Sequence, residues 1–180
     1  KKIVSYFDHT NYIKFFSKKS PLDFIFRKFR NAYLKALAKN DLNPMKKMHK
    51  VFVSNDRKID IFMDTHDYSH IGQVADPNWE NKIFNYYDKF DFDNLIFVDL
   101  GANIGCHTLF YYNFKKFDKL IYVEPNLKCV ELFRKSLSVQ KSYKENEEKV
   151  LILNNVVGEE NGYSDLKVFK NNSGSGSIVD

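Results

Sequence analysis

Two short apolar runs, each closed by an acid, set the tightest limit on what this chain can fold into. Leu95-Ile96-Phe97-Val98 leads into Asp99, and Leu120-Ile121-Tyr122-Val123 leads into Glu124. Between them lie a turn bearing Gly101 and Gly105 and a stretch over about Cys106–Phe114 that fits a short helix. Short apolar runs bounded by turn residues read as buried strands. Strand, helix and strand in that order make a βαβ unit, which requires parallel pairing. Downstream, Pro125-Asn126 opens a helix reaching about Val139, with Val130, Phe133 and Leu137 inward. Val150–Leu153 reads as a third strand and Asp165–Phe169 as a fourth, with Gly158 and Gly162 in the turn between them. The expected fold class is α/β with a mainly parallel sheet. No internal repeat is present.

The N-terminal part reads differently. Ser20-Pro21-Leu22-Asp23 is a helix start, with Ser20 as cap, Pro21 at the first helical position and Asp23 in the first turn. Leu22, Ile25, Phe26, Phe29, Tyr33, Ala36 and Leu37 then recur at helical spacing, which predicts an amphipathic helix ending near Asn40. Val51–Val53 and Ile59–Met63 flank Ser54–Lys58 as a β-hairpin. His66 and His70 stand four apart beside Asp64 and Asp67, but the segment lacks a helical pattern and a third ligand. They read as surface histidines rather than a zinc site. Pro77-Asn78-Trp79-Glu80 opens a further helix through Ile83, Phe84, Tyr86, Tyr87 and Phe90.

Composition removes several function classes. With 43% hydrophobic residues among 180, the chain can bury a core and is not a disordered tail. Apolar runs of four residues fall far short of the roughly 20 needed to cross a bilayer. No signal-peptide pattern is present, and Cys106 and Cys129 make no disulfide framework, so a cytoplasmic setting is expected. The formal charge of +5 is uneven: residues 1–50 carry 13 Lys/Arg and 3 Asp/Glu, whereas residues 51–94 carry 4 and 9. A basic N-terminal helix could dock on an anionic membrane or nucleic acid. A solvated Lys-rich face is the simpler reading, and no nucleic-acid motif accompanies it.

The chemistry-bearing residues cluster at the strand ends. Asp99-Leu100-Gly101-Ala102-Asn103-Ile104-Gly105 sits where ligands of open α/β sheets bind, beyond the carboxyl ends of the strands. Gly101 and Gly105 permit a tight turn and close approach of the backbone to a ligand. Glu124, 23 residues beyond Gly101, can accept hydrogen bonds from the hydroxyls of a ribose. Either a dinucleotide or S-adenosylmethionine could use such a site. A dinucleotide fingerprint is Gly-x-Gly-x-x-Gly, whereas here the glycines are four apart and an acid precedes them. A carboxylate repels a pyrophosphate and suits the amino group of a methionine moiety. The charge logic favours S-adenosylmethionine, with NAD second.

Phe97-Val98-Asp99-Leu100-Gly101-Ala102-Asn103-Ile104-Gly105-Cys106-His107-Thr108-Leu109 resembles the first motif of the FkbM-type S-adenosylmethionine-dependent methyltransferases. Val123-Glu124-Pro125-Asn126 is similar to that family's second-strand signature. Asn155-Val156-Val157-Gly158, Gly162 and Ser173-Gly174-Ser175-Gly176-Ser177 fit its next segment, and Trp79-Glu80 resembles a short motif ahead of its first strand. The resemblance covers about residues 72–180. It divides the chain into an N-terminal extension over 1–71, with basic helix and hairpin, and part of a methyltransferase domain over 72–180. It implies a Rossmann-like methyltransferase sheet, mainly parallel and incomplete, and methyl transfer to a hydroxyl of a sugar or small metabolite. An Asp-Val-Glu-Gly-type strand end that follows in the family does not appear before Asp180. The chain therefore reads as part of a longer protein, inactive alone.

The motifs and the resemblance together carry expectations for individual residues. Asp99, Gly101, Gly105 and Glu124 are expected at the cofactor, Glu124 as ribose acceptor. Asn103 either meets the methionine carboxylate or satisfies the loop. Asn155 and Val156 are candidates for the adenine pocket. His107 and Thr108 are expected to support the glycine turn by hydrogen bonding, and no general base is identified. Neither cysteine has a neighbouring Pro and no Pro-Pro pair exists, which argues against cytosine-C5 and amino-methylating nucleic-acid enzymes. The expected partners are S-adenosylmethionine and a glycan or small-molecule acceptor, with peripheral membrane contact possible for the N-terminal helix and no nucleic acid.

Overall fold

The computed structural model describes residues 48–52, 57–64, 66–75 and 79–179. The basic helix expected over Ser20–Asn40 lies outside them. The chain is mixed α/β. Strands β1 (Met48–Phe52) and β2 (Lys58–Phe62) pair antiparallel, with Met48 opposite Phe62. Helix α1 (Tyr68–Ala75) and helix α2 (Asn81–Tyr87) follow. Then come β3 (Ile96–Leu100), α3 (Cys106–Phe114), β4 (Lys119–Val123), α4 (Leu127–Ser138) and β5 (Val150–Leu153). A short α5 (Tyr143–Asn146) and one 3₁₀ turn connect α4 to β5. Strands β6 (Asp165–Phe169) and β7 (Asn172–Val179) close the description.

Strands β3, β4 and β5 form a three-stranded parallel sheet in sequence order, aligned as Val98↔Ile121 and Ile121↔Leu151. A βαβαβ run with this order is one half of a doubly wound sheet, so the arrangement is compatible with a Rossmann-like fold. Alternation along β3 and β4 divides the sheet into two unlike faces. Leu120 and Tyr122 point into the core, with Phe97, Val150 and Ile152 packed against it. The Tyr122 ring stacks flat on Phe133 of α4 at a centroid distance of 4.0 Å. On the other face Ile96, Val98 and Leu100 keep 60%, 49% and 59% of their surface exposed.

Helix α4 is capped as its sequence promises, with the Asn126 side chain accepting the Lys128 N–H at 3.1 Å. The β1–β2 hairpin, although N-terminal to the boundary at 71/72, packs into the same core. Ile59, Ile61 and Met63 are buried, the Phe62 N–H donates to Ser136 Oγ at 2.8 Å, and Gln140 Nε2 donates to the Asp60 carbonyl at 2.7 Å. Arg57 pairs with Asp88 and lies over the Phe110 and Phe114 rings.

Two expectations need correction. Asp165–Phe169 is a strand, but it does not extend the parallel sheet: it turns back on β7 as an antiparallel hairpin through Lys170 and Asn171, the latter at φ 63°. The Ser/Gly-rich run 173–177, whose composition suits a loop, is part of strand β7. Pairing with β6 and docking on α1, where the Tyr68 N–H donates to the Asn171 carbonyl at 2.8 Å, supply order that Ser and Gly lack intrinsically.

Candidate functional site

The turn over residues 101–105 crosses the carboxyl end of the parallel sheet. The N–H groups of Gly101 and Ala102 both donate to the Val123 carbonyl, at 2.9 and 3.1 Å, so the turn lies over the tip of β4. Gly101 and Gly105 have φ of +69° and +79°, a region that costs any residue with a Cβ about 1–2 kcal/mol. Their surroundings differ. A Cβ on Gly101 would meet nothing within 4 Å, so the backbone there faces open space, whereas one on Gly105 would lie 2.2 Å from Phe133 Cδ2. Gly101 thus offers approach to a ligand and Gly105 serves packing.

Asp99 and Glu124 bracket this turn from neighbouring strand ends. Asp99 pairs in register with Tyr122, two residues before Glu124, so the alternation places both acids toward the same face of the sheet. Asp99 Oδ2 accepts the Thr108 N–H at 3.1 Å and its hydroxyl at 2.6 Å, tying β3 to the first turn of α3. Glu124, only 7% exposed, accepts the Asn103 N–H on Oε2 at 2.8 Å and the Asn126 N–H on Oε1 at 2.9 Å. A carboxylate oxygen has two lone pairs, so each Glu124 oxygen retains one.

Asn103 carries the loop interior. It stands at φ 51°, a left-handed conformation that Asn tolerates better than most residues. Its Oδ1 accepts the Ile104 N–H at 2.8 Å and lies 2.9 Å from His70 Nε2, its Nδ2 donates to Ser173 Oγ at 3.0 Å, and its carbonyl accepts the Tyr122 hydroxyl. Burial, with Glu124 next in effect, raises the Tyr122 phenol, which stays protonated as that bond requires. Of the two roles open to Asn103, the side chain here performs the loop-satisfying one.

His70 is not a surface histidine: it is fully buried. Helix α1 begins two residues earlier and turns the ring inward. The Asp64 N–H donates to Nδ1 at 3.2 Å, which leaves the proton on Nε2, facing Asn103 Oδ1 and, at 3.1 Å, Ser173 Oγ. Burial holds the imidazole below its ordinary value, against the opposing pull of Asp67. Asp67 caps α1, accepting the Ser69 N–H at 2.9 Å and hydroxyl at 2.6 Å on Oδ1 and the Ser173 N–H at 2.8 Å on Oδ2. Burial pushes the Asp67 carboxyl up, but these donors and His70 outweigh it, and the group sits low. Among the described residues no group of three or more His, Cys, Asp or Glu could hold a metal ion.

The remaining expected residues fall elsewhere. His107 does not brace the glycine turn: its Nε2 lies 2.7 Å from Glu80 Oε2, with the ring stacked on Phe84 and flanked by Trp79 and Tyr87. The Trp79-Glu80 pair therefore meets α3 one residue into the helix. Thr108 does support the turn, through Asp99. Asn155 is exposed and Val156 half-buried, beyond the end of β5. Their neighbour Asn154 ties β5 to β4, its Nδ2 donating to the carbonyls of Glu124 and Pro125 at 2.8 Å each. Sequence reasoning missed His70, Ser173, Tyr122 and Asn154. Only Asp67-x-Ser69 carried a local signal, that of a helix cap. No helix among the described residues is long and apolar enough to cross a membrane.

Comparison with protein-family models, with curated proteins and with solved structures finds no match for this chain.

Proposed function

We propose that this chain binds S-adenosylmethionine at the 101–105 turn and belongs to an enzyme that transfers its methyl group, as the resemblance to FkbM-type methyltransferases implies. The observation that supports this most is the bracketing of one open glycine turn by Asp99 and Glu124, acids at the ends of adjacent parallel strands. The fit rests on Gly101, where the exposed left-handed backbone leaves room for a ligand. Glu124 would receive the ribose hydroxyls on its remaining lone pairs, and Asp99 would face the positive end of the methionine moiety. Asn155 and Val156, following β5, are the candidates beside the base.

S-adenosylmethionine supplies an activated methyl on a sulfonium, so the protein's task is chiefly alignment of an acceptor. A sugar or small-metabolite hydroxyl is the acceptor class this reading favours, in a cytoplasmic setting. A dinucleotide is less suited. The Thr108 N–H at the start of α3, where a pyrophosphate would be received, already meets the Asp99 carboxylate.

Titration calorimetry with S-adenosylhomocysteine tests the reading. Saturable one-to-one binding is expected, weakened at least about tenfold in Glu124→Ala (about 1.4 kcal/mol). Absence of binding, or equal affinity in the variant, would refute it, and tighter binding of NAD would replace it with the dinucleotide reading.

A further inference from the structure

We propose that His70 and Ser173 are positioning residues that clasp Asn103 from two distant parts of the chain and so hold the glycine turn and Glu124 in their binding arrangement. The inference rests on the adenosyl reading above and assigns to that site two residues outside both of its motifs.

The left-handed conformation of Asn103 carries a cost. A left-handed residue that is not glycine persists where its surroundings hold it. Here every polar group of Asn103 is engaged: backbone N–H to Glu124, carbonyl to Tyr122, Oδ1 to Ile104 and His70, Nδ2 to Ser173. The donors then run in one direction. Ser69 gives its hydroxyl proton to Asp67, so Ser69 Oγ is the acceptor for the Ser173 hydroxyl at 2.9 Å. Ser173 Oγ in turn receives Asn103 Nδ2 and shares the His70 Nε2 proton with Asn103 Oδ1. Each of these assignments follows from the one before it. A connected, part-buried network of this kind favours one arrangement.

The network also reaches the site. Asn103 gives Glu124 one of its two backbone N–H bonds, the other coming from Asn126, so what fixes Asn103 helps to fix the acid expected to hold the ribose. Ser173 is anchored by its own N–H on Asp67, which makes the β6–β7 hairpin the outer jaw of the clasp and α1 the inner one. A shift of either jaw loosens Asn103 and leaves Glu124 held chiefly by the Asn126 N–H on its other oxygen.

The test uses the full 180-residue chain and S-adenosylhomocysteine. His70→Leu and Ser173→Ala are each expected to weaken binding about three- to tenfold, the worth of one buried hydrogen bond. His70→Gln, which keeps a donor near Nε2, should recover most of the loss. Asn103→Gly, which adopts φ 51° without strain but has no side chain to clasp, should weaken binding at least as much as Ser173→Ala. Hydrogen exchange at the Asn103 and Ile104 amides, without ligand, should quicken in Ser173→Ala while the core amides of β4 do not. Binding by the natural chain with unchanged affinity in His70→Leu and Ser173→Ala overturns the clasp and leaves the adenosyl reading standing. So does a loss in His70→Gln as large as in His70→Leu, because general packing alone would explain it. No binding by the natural chain overturns the adenosyl reading and the clasp's place in it together.

Discussion

The Asn103 backbone N–H donates to Glu124 Oε2 across 2.8 Å, so the residue inside the glycine turn and the acid ending the next strand hold each other in place. The same carboxylate takes the Asn126 N–H on its other oxygen and thereby fixes the start of α4. Glu124 is thus structural before it meets any ligand. Glu124→Gln presents an amide donor to one of these N–H groups and loses the charge that strengthens both bonds. A loss of about 2 kcal/mol in stability is expected, measured by urea unfolding.

Acidification should weaken the fold in two stages. His70 is held neutral by burial below its ordinary value of 6.5, with Lys128 adding to that effect and Asp67, the Asn103 hydrogen bond and Asp64 opposing it. The unfolded chain takes up this proton near pH 6.5 and the folded chain only lower, so stability falls as pH drops through that interval. The slope is at most about 1.4 kcal/mol per pH unit. Asp64 and Asp67 act at lower pH. Burial raises both, but Lys128 and the His66 N–H for Asp64, and Ser69, His70 and Ser173 for Asp67, bring them below 3.8. Their contribution is present above pH 3.8 and is lost as pH falls through their lower folded values. Urea midpoints measured from pH 8 to pH 3 should show both stages, and His70→Gln should remove the upper one.

The two turn glycines should respond unequally to alanine. Gly101→Ala meets no neighbour and costs only its left-handed conformation, about 1–2 kcal/mol. Gly105→Ala adds a clash with the Phe133 ring, a further 1–3 kcal/mol. Thermal unfolding of both variants gives the order, and equal destabilisation would contradict the packing described around Phe133.

Both cysteines should resist thiol reagents until the fold opens. Burial is the leading cause in each: it pushes the Cys129 thiol up to about 12 and the Cys106 thiol well above its ordinary value. Cys106 also donates to Gln73 Oε1 at 2.8 Å. Alkylation at pH 8 should therefore follow global unfolding, with both sites reacting together as urea rises.

The row Ile96, Val98 and Leu100 leaves apolar surface on the outer face of the sheet, where parallel sheets are ordinarily covered. Concentration-dependent association is the expected result in sedimentation, and Val98→Thr with Leu100→Thr should reduce it while changing stability by less than about 1 kcal/mol, since Thr suits a strand. Tyr122→Thr, on the opposite face, should unfold the chain.

Local pattern was a good guide from Leu95 to Leu153. Strand β5 and helix α3 lie over the expected residues, and β3, β4 and α4 differ by a residue or two, because each has a clear apolar period and a turn or cap at its end. The pattern failed where order comes from afar. Nothing near His70 marks it as buried, since two of its three hydrogen-bond partners, Asn103 and Ser173, lie 33 and 103 residues away. Strand β7 has the composition of a linker and owes its form to β6 and to Asp67. Asn103 could be given two roles from its neighbours alone, and the choice between them depended on residues far outside its motif.

The bonds that join Asp67, Ser69 and His70 to Ser173 span 106, 104 and 103 residues. Closing so wide a circuit costs chain entropy before any contact repays it. The βαβαβ run can mature on its own neighbours, while its glycine corner must wait for a stretch of chain made much later. During synthesis, ligand competence should arrive only after Ser173 has emerged, later than the secondary structure of the βαβαβ run.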